Sequence, residues 1–206
     1  MTTKFYFIIL FILCFATSCK KENTFKEYEF ADKPAVLECN NLNSKLYNEA
    51  LYSFENDILN FYGKDKKSLL LAYSQFIRLS VYGRVNYKNI VSEHTLKVFE
   101  ALKNESELWN FNQSASHLNY NSALMDCIAQ NITNPDLKTT LNALLSTNSM
   151  NPKLFGAPLS TNYSTTLSDK YLASYVAFDL FYAKLFDVNF SQVEKEKQKV
   201  DFNITQ

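Results

Sequence analysis

Residues 168–186 read SDKYLASYVAFDLFYAKLF, from Ser168 to Phe186, and the fold follows from them. Tyr171, Tyr175, Phe178 and Tyr182 recur at intervals of three and four and make one helical stripe, while Leu172, Val176, Leu180 and Phe181 make the other sides apolar as well. A helix that is apolar nearly all round has no face to give to water, so it belongs in the middle of a bundle. Val176 and Phe178, on different sides of it, are both expected to be buried.

The preceding segments supply the packing partners. Tyr47, Leu51, Phe54, Ile58 and Phe61 share one face of a helix from Asn43 to the stop at Gly63, with Asn48, Glu55 and Asn56 elsewhere. A second helix spans Asp65 to Tyr82, with Leu69, Tyr73, Phe76, Ile77 and Ser80 inward, and a third spans Tyr87 to Lys103 with Val91, Thr95, Val98, Phe99 and Leu102 inward. Short connectors make these three antiparallel neighbours. Glu105 to Leu118, around the sole tryptophan Trp109, is polar and reads as a loop. A fourth helix covers Asn121 to Ile132. The fifth opens at Asn134-Pro135, a cap followed by proline at the first helical position, and buries Leu137, Leu141, Leu144 and Leu145.

Asn148 to Tyr163, with Pro152, Gly156 and Pro158, shows no period and reads as a long loop. Two readings of its apolar residues stand side by side. Either they pin the loop onto the bundle, or Leu154 and Phe155 stand partly exposed at a rim and contact a protein partner or small apolar ligand. Only three glycines occur, against thirty Tyr and Phe, which disfavours hairpin-rich β architecture. Successive helix pairs do not repeat small residues at fixed positions, as a helical repeat would. The expected fold is therefore all-α, an irregular single-domain bundle of about six helices over residues 34–190.

The two ends have a different character. Lys4 precedes an apolar run from Phe5 to Phe15, after which Ala16, Thr17 and Ser18 lead to Cys19. That run is shorter than the roughly 20 apolar residues of a spanning helix, and residues 1–18 read as a cleaved secretory leader. Ala16-Thr17-Ser18-Cys19 resembles the lipobox of the bacterial lipoprotein precursors, departing from it in the small Ala16. The resemblance covers the leader alone. It implies a diacylglyceryl group on the Cys19 sulfur, palmitate among the acyl chains, and a chain held on a membrane of the bacterial cell envelope, with the outer membrane as the expected site. Residues 19–33, rich in Lys, Glu and Asn, read as a flexible tether, and residues 191–206 as a polar tail.

Cleavage would remove Lys4 and Cys14, leaving 20 basic against 21 acidic residues and two cysteines in the domain, Cys39 and Cys127. These two are either bridged, as an oxidising compartment allows, or two buried thiols. The balanced charge gives no electrostatic case for nucleic acid, and scarce glycine excludes a glycine-rich phosphate cradle. Neither His94 nor His117 has a metal-ligating residue three or four places away, and Cys127 has none either, so no metal or cofactor is expected. His94 reads as a helix-boundary residue and His117 as a loop residue bonded to backbone. Hydrolase signatures are missing, and Glu49, Glu55, Asp57, Glu105 and Glu107 read as solvated faces and ends. Tyr171, Tyr175 and Tyr182 could stack on a glycan, but helical spacing assigns them to the core first. The functional expectation is a lipid-anchored envelope lipoprotein acting as a non-enzymatic binding or structural module, without catalytic residues. The alternative is an exported, hydrolase-like enzyme of unfamiliar type whose site is assembled from distant segments.

Overall fold

The structure is a computed structural model that describes residues 25–40 and 42–190. The leader, Cys19, the first part of the expected tether and the tail at 191–206 lie outside the described residues. The fold is all-α. Helix α1 spans Ser44–Tyr62, α2 Leu69–Val81, α3 Tyr87–Ile90, α4 Glu93–Leu102, α5 Ala123–Asn131, α6 Pro135–Ser146, α7 Pro152–Thr161 and α8 Tyr163–Ser168. The last helix runs through α9 (Lys170–Tyr175), a π-helical segment (Val176–Tyr182) and α10 (Ala183–Leu185). All its junction residues are right-handed, so the chain passes through without a break.

That last helix is the axle of the bundle. From Leu172 to Ala183 every residue is buried, Val176 and Phe178 among them. Phe178 packs on Tyr47, Phe181 on Phe54 and Phe76, Tyr182 on Phe99, and Tyr175 on Phe155, with ring centroids 4.8–6.4 Å apart. Its tyrosines bury rings and still satisfy their hydroxyls, as Tyr182 does by donating to the Ala50 carbonyl at 3.0 Å. Tyr175 and Tyr182 are thus core residues and offer no sugar-stacking face. Phe61, placed by its spacing on the buried face of α1, is half-exposed where that helix ends.

Helices are more numerous and shorter than expected because local caps divide them. The third expected helix breaks at Val91, which is extended, and restarts when the Ser92 hydroxyl accepts the Thr95 amide at 3.2 Å. The expected loop from Asn148 to Tyr163 is mostly helix, a correction with a plain cause. Asn151-Pro152 is a second cap-plus-proline start, with the Asn151 side chain accepting the Lys153 amide at 2.8 Å. Pro158 is tolerated near the end of α7, and Gly156 serves a crossing, since a Cβ there would lie 2.7 Å from Val81 Cγ2 on α2. Tyr163–Ser168 then forms α8, ahead of the long apolar helix.

The segment read as a tether is docked from Phe25 onward. Phe25 and Phe30 set their rings 6.3 and 6.0 Å from His94, and the Glu29 and Phe30 amides donate to the buried Glu49 carboxylate. Farther along, Asn48 Oδ1 accepts the Val36 and Leu37 amides. The aromatics scattered through a polar stretch are its anchors, which is why a periodicity test finds nothing there. The strap ends at Cys39, which forms a disulfide with Cys127 on α5 across a Cα separation of 6.0 Å. Closing that interval of 88 residues contributes about 4–5 kcal/mol on the chain-entropy account.

Acidic residues of α1 depart most from expectation. Glu49, Glu55 and Asp57 are buried, and each has bonded partners that offset the cost of leaving water. Glu49 also takes His94 Nε2 at 2.7 Å, Glu55 takes Tyr73 and Lys170, and Asp57 accepts the Ser92 amide at 3.0 Å. They tie α1 to the strap and to α2, α4 and the last helix.

Candidate functional site

A cleft of about 380 Å³ opens between the loop at 112–121 and the turn that joins α6 to α7. The first wall is fixed at its base by an antiparallel bridge between Trp109 and Leu118, where the Asn110 amide donates to His117 O at 2.7 Å and the Asn119 amide to Leu108 O at 2.9 Å. Trp109, expected in a polar loop, is buried, with its indole N–H donated to the Leu102 carbonyl at 2.8 Å. Between the bridge strands the chain turns outward and presents Asn112, Gln113 and Ser114 to the cleft.

The second wall is built by the end of α6. Asn148 has φ +50°, the Asn148 amide donates to Leu145 O, and the Ser149 amide reaches back to Leu144 O, which together make a Schellman closure with asparagine in the left-handed position. Asn tolerates that conformation better than other side chains bearing a Cβ. Leu145, Asn148 and Met150 face the opening from this side.

Beneath the cleft lies a buried polar knot centred on Asp179, in the π-helical segment. Its carboxyl accepts Ser116 Oγ at 2.5 Å, Tyr175 Oη at 2.6 Å and Tyr120 Oη at 3.1 Å. Burial pushes Asp179 above the ordinary carboxylate range, opposed by the three hydroxyl donors and the charge of Lys184. Burial and the Asp179 charge likewise push the Tyr120 phenol far above its ordinary value. Tyr120 therefore keeps its proton, and its place among the cleft residues makes it a rigid floor rather than a base. The knot positions the cleft: Ser116 and Tyr120 bracket the near wall, and Lys184 donates to the Ala115 carbonyl at 3.4 Å. A π-helical turn in the central helix, often found where a side chain must be aimed at a site, carries the aspartate that does this.

Among the described residues no charged side chain lines the cleft. Its polar surface consists of carboxamides and hydroxyls, which can donate and accept hydrogen bonds but do not move protons near neutral pH. Among the described residues no group of three His, Cys, Asp or Glu is placed to hold a metal ion, and no helix is long and apolar enough to cross a membrane.

The residues singled out from sequence are scattered. Cys19 lies outside the described residues. Cys39 and Cys127 are joined at the strap. Leu154 is 55% exposed, but Phe155 is fully buried against Tyr175, so the two do not form one apolar contact. The reason is helical: adjacent residues on α7 point about 100° apart. His94 serves the strap, and His117 bonds Asp187 Oδ1 at 2.9 Å rather than backbone. Sequence reading singled out the segment that begins at Asn148 but gave Asn148 and Met150 no role, and it missed the cleft residues at 112–121, which come from a segment distant in sequence. One local signal was legible, an asparagine just past the last periodic residue of α6. Comparison with known proteins adds nothing to this picture: no family model, curated protein or solved structure matches the chain.

Proposed function

We propose that this chain is a lipid-anchored lipoprotein of the bacterial cell envelope, placed at the outer membrane, whose domain is a non-enzymatic binding module using the cleft between 112–121 and 145–150. The anchor is supported by the leader and by Ala16-Thr17-Ser18-Cys19. The observation that carries the binding role is the lining of the cleft, in which carboxamides and a hydroxyl stand beside the apolar Leu145 and Met150 with no charged side chain among the described residues, above a floor whose phenol is held protonated. Such a surface recognises a molecule and leaves its bonds alone.

Growth of the producing bacterium with radiolabelled palmitate tests the anchor. The wild-type chain is expected to carry label and to fractionate with membranes, because each buried methylene adds about 0.8 kcal/mol and two or more chains hold a protein there. Cys19→Ala is expected to carry none and to leave the membrane fraction. An unlabelled wild-type chain would overturn the lipoprotein reading.

A further inference from the structure

We infer that the cleft binds a neutral saccharide, an inference that rests on the reading of this cleft as the binding surface. Its first support is the state of the amides. Eleven asparagines lie between 104 and 162. The side chains of eight of them, Asn104, Asn110, Asn119, Asn131, Asn134, Asn142, Asn151 and Asn162, are bonded within the chain. The remaining three, Asn112, Asn121 and Asn148, are the three that line the cleft, and Gln113 beside them is likewise unbonded within the described residues. Side-chain amides without a partner among the described residues also occur away from the cleft, at Asn56, Asn60, Asn86, Asn89 and Gln130, but these four, each with both donor and acceptor capacity, converge on one opening.

Charge is the second support. A fifth of the residues of this chain are charged, yet none among the described residues lines the cleft, so an ionic ligand would find no counter-charge from them. A ligand that suits unengaged carboxamides is itself both donor and acceptor at many points, which hydroxyl groups are. Leu145 and Met150 add an apolar strip beside the amides, matching the C–H faces that a pyranose ring carries between its hydroxyls. The volume, about 380 Å³, falls at the small end of the roughly 300–1,000 Å³ typical of ligand sites. An uncharged peptide would satisfy amides too, but peptide recognition ordinarily uses a free sheet edge or a long apolar groove. The described residues contain one isolated β-bridge, whose partners Trp109 and Leu118 are outside the lining.

The test is calorimetry on the full mature chain, extracted in a detergent without a sugar headgroup. The titrants are neutral oligosaccharides (glucans, mannans and chito-oligosaccharides), uronate-containing oligosaccharides, and uncharged peptides. A neutral oligosaccharide is expected to bind. The variant carrying Asn112→Ala and Gln113→Ala, with unchanged thermal melting, is expected to bind it about tenfold more weakly or less, from the loss of two hydrogen-bonding side chains. Asn121→Asp, which adds a carboxylate to the opposite end of the same loop, is expected to weaken it as well. Stronger binding of the acidic sugars would overturn the inference, as would unaltered binding by both variants, which would place the sugar elsewhere. Binding of peptide alone would overturn the saccharide and leave the binding module standing. Binding of nothing would overturn both, whereas the lipid anchor stands or falls separately on the palmitate label.

Discussion

The central helix and the cleft above it use polar groups in opposite ways. Along the helix each buried polar side chain is engaged: Ser174 bonds Lys170 O, Tyr182 bonds Ala50 O, and Asp179 gathers Ser116, Tyr120 and Tyr175. At the cleft, the side chains of Asn112, Asn121 and Asn148 have no hydrogen-bond partner among the described residues, although their backbone amides are bonded. The energetics explain the contrast. A buried donor or acceptor without a partner costs about 1–3 kcal/mol, which favours the closed sets seen along the central helix, while a wetted rim can leave its groups for a ligand. Asp179 stands at the junction, since the knot that closes the core also fixes the walls of the cleft.

The sharpest way to break this contrast is to empty the core. Phe178 is fully buried and packs on Tyr47 and Tyr182, so Phe178→Ala is expected to cost about 3–5 kcal/mol through lost burial and a residual cavity. Urea denaturation would show this as a lower midpoint. A midpoint like that of the wild type would mean that the helix is peripheral.

A smaller effect is expected at the knot, and it has a sign in pH. Burial raises Asp179 from its ordinary 3.8, so between that value and its folded value the native state holds a proton that the unfolded chain has released. Stability from this group is therefore present at low pH and is lost as pH rises through that window. Asp57, also raised by burial and held by Ser92 and Thr95, adds a slope of the same sign. Asp179→Asn keeps one acceptor oxygen for three hydroxyls and is expected to cost about 1–3 kcal/mol at pH 4. The variant lacks the Asp179 slope, so its deficit is expected to narrow as pH rises toward 7. Thermal melts at both pH values would read this, and a deficit that widened with pH would reverse the assignment of the knot.

How much of this could be read from sequence divides along the same line. Apolar periodicity found the central helix and the inner faces of α1 and α2, and a cap followed by proline found the start of α6 at Asn134-Pro135, because each is a local pattern. The identical signal at Asn151-Pro152 was hidden by Gly156 and Pro158, residues that ordinarily mark a loop and here accommodate the crossing with Val81. Glu49, Glu55 and Asp57 read as solvated because a one-dimensional pattern assigns every carboxylate to the outside. Their partners, in the strap, at Tyr73 and at Ser92, are 18 or more residues away. The cleft was illegible for the same reason. Its amides have no periodicity, and what distinguishes Asn112 from Asn119 is a bonding partner that only three dimensions reveal.

That distinction can be tested at its smallest scale with two asparagines. Asn134 precedes α6, and its side-chain oxygen accepts the Leu137 amide at 2.9 Å, one of the amides that a helix start cannot satisfy by itself. Asn134→Ala removes that bond and is expected to cost about 1 kcal/mol, the usual effect of losing a polar cap. Asn112, exposed on the cleft wall, lends its backbone amide to Asn110 Oδ1 at 3.0 Å but has no partner for its side chain among the described residues. Asn112→Ala leaves the backbone bond in place and is expected to change stability by less than about 0.5 kcal/mol, as surface substitutions away from such features do. Paired denaturation curves would measure both. A loss at Asn112 as large as that at Asn134 would show its amide to be engaged in holding the wall, and the opposition between spent and unspent amides would fail at the residue where it is most easily measured.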